Sequence, residues 1–95
     1  MRLSEHQRSV LKKNFKEIFG DGKIYLFGSR IDDSTKGGDI DLYISTTKKD
    51  SLSEKKIDFL VNVKREIGEQ KIDVVFDRGQ NRLIDKKAKA EGIML

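Results

Sequence analysis

The 95-residue chain has no cysteine and no proline. The first absence excludes a disulfide framework and any zinc site built on thiolates, and it fits a cytoplasmic protein. The second leaves turns and helix ends to glycine. There is one histidine, His6, and nothing in the sequence pairs with it, so it reads as an exposed helix residue rather than a catalytic one. No apolar run approaches the ~20 residues of a membrane span, and Met1-Arg-Leu-Ser-Glu-His6 has no apolar signal core. There is also no aromatic stacking run and no basic cluster of a recognised type, so neither membrane nor nucleic acid is the expected partner. The formal net charge is +4, from 20 basic and 16 acidic residues. Most of these charges are interleaved, as on a solvated surface.

What is present is concentrated in one stretch. Lys23-Ile-Tyr-Leu-Phe-Gly-Ser-Arg30 followed by Gly37-Gly-Asp-Ile-Asp-Leu-Tyr-Ile44 reads as a strand, a Gly-Ser turn, a polar loop and a second strand. Gly28 lets the backbone turn sharply or approach a ligand, because it has no Cβ. The Ser29 hydroxyl beside backbone N–H groups suits a phosphate oxygen. Side chains alternate along a strand, so Asp39, Asp41 and Tyr43 share one face and Ile40, Leu42 and Ile44 the other. Two carboxylates on one face repel unless a cation lies between them. Mg²⁺ takes oxygen ligands, commonly one or two carboxylates plus substrate phosphates. The plainer alternative is the solvent face of a half-buried strand. Asp73, in the strand-like run Lys71-Ile-Asp-Val-Val-Phe76, is a third acid among apolar residues.

The remaining elements follow from periodicity and capping. Ser4-Glu-His-Gln7 has capping-box spacing, and Val10, Leu11, Phe15, Ile18 and Phe19 form a helical apolar face that ends at Gly20 and Gly22. In the loop 31–38, Asp32 and Asp33 read as a turn or helix cap and Lys36 as a surface lysine. Ser51-Leu-Ser-Glu54 is a second capping-box pattern, opening a helix expected to bury Ile57, Leu60, Val61, the Lys64 stem and Ile67, with Gly68 closing it. A last helix is expected over 81–90 with Leu83, Ile84 and Ala88 inward. Arg78, Arg82, Lys86 and Lys89 form a basic stripe, either a solvated face or a surface for an acidic partner. Ile93-Met-Leu95 is an apolar tail, an edge strand or part of an interface. The element order gives an α/β domain over 1–95: a small mixed β-sheet covered by helices on one face, with the carboxylate face open.

Gly28-Ser29, nine residues, then Asp39-Ile-Asp-Leu42, with Asp73 on a later strand, resembles the nucleotidyltransferase superfamily that includes DNA polymerase beta. Gly28-Ser29-Arg30 and the short length resemble its minimal nucleotidyltransferase branch, whose members are often antitoxin partners of HEPN-domain toxins. The resemblance implies a nucleotidyltransferase fold. It also implies a two-metal Mg²⁺ site on Asp39, Asp41 and Asp73, with Asp73 helping to deprotonate the acceptor. Gly28, Ser29 and Arg30 would hold the triphosphate of ATP. The implied reaction is AMP transfer from ATP to a protein hydroxyl on a HEPN-type helical toxin. This chain departs from the branch after Arg30: Ile31-Asp32-Asp33 stands where a small residue, Arg and Gly commonly follow. The alternative is a catalytically inactive partner of the same fold that neutralises a toxin by binding alone. At this length no second domain is expected to grip an acceptor, so a partner protein is.

Overall fold

The computed structural model describes residues 3–28, 40–47, 50–79 and 82–95. The elements run α1 (Glu5–Phe19), β1 (Lys23–Phe27), β2 (Ile40–Ser45), α2 (Leu52–Ile67), β3 (Ile72–Phe76), α3 (Leu83–Glu91) and β4 (Ile93–Met94). The four strands form one mixed sheet in the order β3-β2-β1-β4. β1 is antiparallel to β2 and to β4, and β2 is parallel to β3. The parallel pair needs a crossover, and α2 supplies it. The expected α/β domain with a small mixed sheet is observed, and the apolar tail is an edge strand. Among the described residues no helix is long and apolar enough to cross a membrane.

Strand alternation divides the sheet. Ile24, Leu26, Ile40, Leu42, Ile44, Ile72, Val74 and Phe76 are buried in one core cluster with Val10, Leu11, Phe15 and Phe19 of α1 and with Phe59 and Val63 of α2. Phe19 is its hub, with ring centroids 5.6 Å from Phe15, 6.0 Å from Phe59 and 5.8 Å from Phe76. α1 starts as expected. The Ser4 hydroxyl accepts from the Gln7 N–H at 3.0 Å, and Gln7 Oε1 accepts from the Ser4 N–H at 3.1 Å. Lys13 and Asn14 of α1 reach the Glu66 carboxylate of α2 at 3.2 and 3.3 Å.

Three expectations within the helices are corrected. Ser51 is the N-cap of α2 but has φ 55° and makes no side-chain cap bond, so the second capping box does not form. The buried face of α2 is also shifted from the expected one: Leu60 and Ile67 pack against the core as expected, but Phe59 and Val63 are its buried residues, whereas Ile57 is 61% and Val61 43% exposed. Two apolar stripes overlap on this helix. The one carrying the aromatic ring wins, because a phenyl ring removes more apolar surface from water than Ile or Val. In α3, Leu83 does not pack inward and is 83% exposed, while Asp85 is 2% exposed.

α1 and α2 cover one sheet face, whereas the expectation that all helices would lie there and leave the carboxylate face open is corrected by α3. α3 adds a layer on the other face, where Tyr25, Tyr43, Asp41, Asp73 and Val75 project. It is held by polar groups. Tyr43 is fully buried, and its hydroxyl donates to Asp85 Oδ1 at 2.7 Å. α3 therefore covers the tyrosine end of this face, and the aspartate end lies beyond it.

Candidate nucleotide and metal site

The register sets the site. Phe27 pairs with Asp41 across the antiparallel ladder, and Asp41 pairs with Asp73 across the parallel one. Directly paired residues point to the same side of a sheet, and adjacent strands lie about 4.8 Å apart. Asp41 and Asp73 are thus neighbours on one face, at the end of the sheet where β1 finishes and β2 and β3 begin. Had Asp73 been one residue out of register it would have pointed into the core. Asp73 is exposed and Asp41 half-buried.

Gly28 follows β1 with φ +81°. A Cβ on it would collide with the Asp41 carboxylate oxygen and lie 3.2 Å from its Cγ. Asp41 therefore rests over bare backbone that only glycine provides. Of the expected site residues, Gly28, Asp41 and Asp73 are brought together at one corner of the sheet. Ser29, Arg30 and Asp39 lie outside the described residues, as do Asp32, Asp33 and Lys36. Among the described residues no group of three or more His, Cys, Asp or Glu side chains could hold a metal ion, so the described part of the expected site is a carboxylate pair.

Sequence reasoning missed the buried polar anchor beside this corner. Asp85 accepts from Tyr43 Oη at 2.7 Å, from the Arg82 backbone N–H at 2.7 Å, and from Arg82 Nε and Nη2 at 3.0 and 3.1 Å. These four donors match the acceptor capacity of a carboxylate. Arg82 Nη2 also donates to the Phe76 carbonyl at 2.7 Å, tying α3 to the end of β3. The Arg82 guanidinium, then the Tyr43 hydroxyl, hold the Asp85 carboxyl well below the usual carboxylate range. Burial, then the bond to Asp85, push the Tyr43 phenol well above its usual value. Asp77 is likewise lowered, first by the Gly79 N–H and then by Lys89, whose Nζ is 3.0 Å away. The expected basic stripe is therefore divided. Arg82 and Lys89 are tied to Asp85 and Asp77, and Arg78 and Lys86 are exposed. The signal available in the sequence was the parity of Tyr43: a phenol projecting beside Asp41 needs a hydrogen-bond partner once buried.

α3 and the end of β1 border an open cavity of about 620 Å³ lined by Phe27, Gly28, Leu83, Ile84, Lys87 and Glu91. Gly28 is common to this lining and to the aspartate corner.

Residues 8–95 match the family model for the polymerase beta nucleotidyltransferase domain. No curated protein matches the chain at a significant level. The match spans nearly the whole chain, including the turn, both described aspartate strands and α3. The chain belongs to the polymerase beta nucleotidyltransferase family.

Proposed function

We propose that this nucleotidyltransferase domain transfers AMP from MgATP to a hydroxyl of a HEPN-type toxin, acting as that toxin's antitoxin. The observation that carries the reading is the in-register pair Asp41 and Asp73 beside Gly28. The donors fit the cation. Carboxylate oxygens are the hard ligands Mg²⁺ prefers, and the missing Cβ at Gly28 lets the Asp41 carboxylate rest against the backbone there. Asp41 and Asp73, with Asp39, would hold the metal. Bound Mg²⁺ would neutralise phosphate charge at the reacting phosphorus.

The protein's own part is positioning and proton transfer. Gly28 and Ser29, with Arg30, hold the triphosphate through backbone N–H groups, a hydroxyl and a guanidinium. Asp73, the more exposed carboxylate, faces the acceptor and takes its hydroxyl proton. The acceptor oxygen then bonds to the α-phosphorus, the bond from that phosphorus to the β-phosphate oxygen breaks, and pyrophosphate leaves. An AMP group added near a ribonuclease active site would oppose RNA entry by both bulk and charge.

The exposed Met94 on the edge strand β4 and the exposed cations Arg78 and Lys86 offer docking surface for the partner. The experiment is to incubate the pair with MgATP and weigh the intact toxin. A mass increase of one or more AMP units is expected, and it is lost with Asp41→Asn. Ile31-Asp32-Asp33 favours a second reading, neutralisation by binding alone, because it removes a basic residue from the phosphate loop. Equal neutralisation by Asp41→Asn with no adduct would establish that reading instead.

A further inference from the structure

The corner that gathers Gly28, Asp41 and Asp73 accounts for a triphosphate and its cation. It does not account for the base and sugar attached to them. A nucleoside linked through its α-phosphate must lie within a few ångströms of that corner, against apolar surface that an aromatic base can cover. The cavity under α3 meets both conditions. It shares Gly28 with the site, and its volume of about 620 Å³ falls in the range of small-molecule sites. Phe27, Leu83 and Ile84 give it apolar walls, and Lys87 and Glu91 give it polar ends.

The sequence of α3 fits this role better than a packing role. Leu83, Lys87 and Glu91 are spaced four apart, so they form one stripe along the helix. That stripe begins with a leucine left 83% exposed. The inward contacts of α3 are made instead by Asp85 and Ala88. An apolar residue opening a stripe that lines a cavity beside two carboxylates is suited to a ligand. The helix is fixed over it by the Tyr43–Asp85–Arg82 bonds, so the wall is set before the ligand arrives.

We propose that the cavity between the end of β1 and α3 receives the nucleoside of the donor nucleotide. Leu83 and Ile84 pack on the base, Lys87 is drawn to the phosphates, and Glu91 determines selectivity. This rests on the nucleotidyltransferase reading above and adds the residues that choose the nucleotide. A glutamate offers only acceptors. It therefore favours bases that present an exocyclic amino group, and ribose over deoxyribose, through N–H and O–H donors. Lys87 offers only donors, so its contribution is to charge and falls with added salt.

Calorimetry with two probes separates this from the site chemistry. Inorganic tripolyphosphate with Mg²⁺ has the charge of the donor and no nucleoside, whereas MgATP has both. The wild-type protein should bind MgATP more tightly. Leu83→Ser removes part of the apolar wall at an exposed position. It should weaken MgATP by about tenfold, the loss of roughly half a buried leucine, and leave Mg-tripolyphosphate unchanged. Glu91→Gln should reduce the preference for ATP over deoxyATP, again without effect on tripolyphosphate. If both variants bind MgATP as the wild type does, the nucleoside lies elsewhere and the inference falls while the phosphate site stands. Equal weakening of both probes by Leu83→Ser would also overturn it. Wild-type protein that binds neither probe overturns the nucleotidyltransferase reading and this inference with it.

Discussion

Replacing Gly28 by alanine separates backbone strain from site geometry, because the fold contains a matched control. Gly28 has φ +81° and Gly68, the C-cap of α2, has φ +91°. Gly68 also has ψ −178°, a region kept almost wholly for glycine; an L-residue held in such a sparsely populated region costs about 1–3 kcal/mol, and either variant should lose stability of that order. For a domain of this size each kcal/mol lowers Tm by about 4–8 °C. The surroundings differ. Nothing lies within 4 Å of a Cβ built on Gly68, whereas on Gly28 it collides with the Asp41 carboxylate and sits 3.2 and 3.4 Å from its Cγ and Cβ. Ordinary carbon contacts are about 3.5–4.0 Å, so Asp41 must move by roughly an ångström. A misplacement of that size in a reacting array costs on the order of 10²-fold. Thermal unfolding and MgATP calorimetry on both variants make the assay. Similar Tm losses are expected, with Mg²⁺-dependent nucleotide binding lost only in Gly28→Ala. A Gly28→Ala protein with wild-type Mg²⁺-dependent binding would show that Asp41 does not need bare backbone at Gly28 to reach the cation.

Other perturbations test the anchors. Tyr43→Phe removes one of the four donors to the buried Asp85 carboxylate and should destabilise by about 1.5–3 kcal/mol, read by urea unfolding. Asp85 and Asp77 have lowered pKa values, so their stabilisation is complete at neutral pH and is lost as pH falls through about 4 and below. Tyr43 has a raised value, so its contribution holds below about pH 10 and declines above it. Tm measured against pH should fall at both ends, and Tyr43→Phe should flatten the alkaline limb. Phe59→Ala should cost about 3–5 kcal/mol, while Ile57→Ala should stay within about 0.5 kcal/mol; the reverse ranking would mean α2 packs by its other face.

The strands were legible because each carries a clean two-residue alternation. Ile72, Val74 and Phe76 fix Asp73 on the far face, and β1 spans the expected residues. Which strand neighbours which is a tertiary fact, so the pairing of Asp41 with Asp73 was beyond reading from either strand alone. α1 was legible through its capping box and an unambiguous apolar stripe. On α2 the expectation holds at Leu60 and Ile67 and fails at Ile57 and Val61, because these repeat at helical spacing just as Phe59 and Val63 do, and only packing against Phe19 decides between them. α3 was misread for a different reason. Its inward face is set by hydrogen bonds to Tyr43 and Arg82, and hydrophobic periodicity carries no signal for a buried carboxylate.

The proposed reaction requires Asp41 and Asp73 together to hold a divalent cation for a nucleotide. Mn²⁺, a hard cation suited to oxygen ligands, can be titrated into the protein with ATP and the free ion followed by electron paramagnetic resonance. The wild-type protein should remove Mn²⁺ from solution beyond what ATP alone removes. Asp41→Asn and Asp73→Asn should each abolish that excess while leaving the far-ultraviolet circular dichroism unchanged. Undiminished ATP-dependent Mn²⁺ binding in both variants would contradict it.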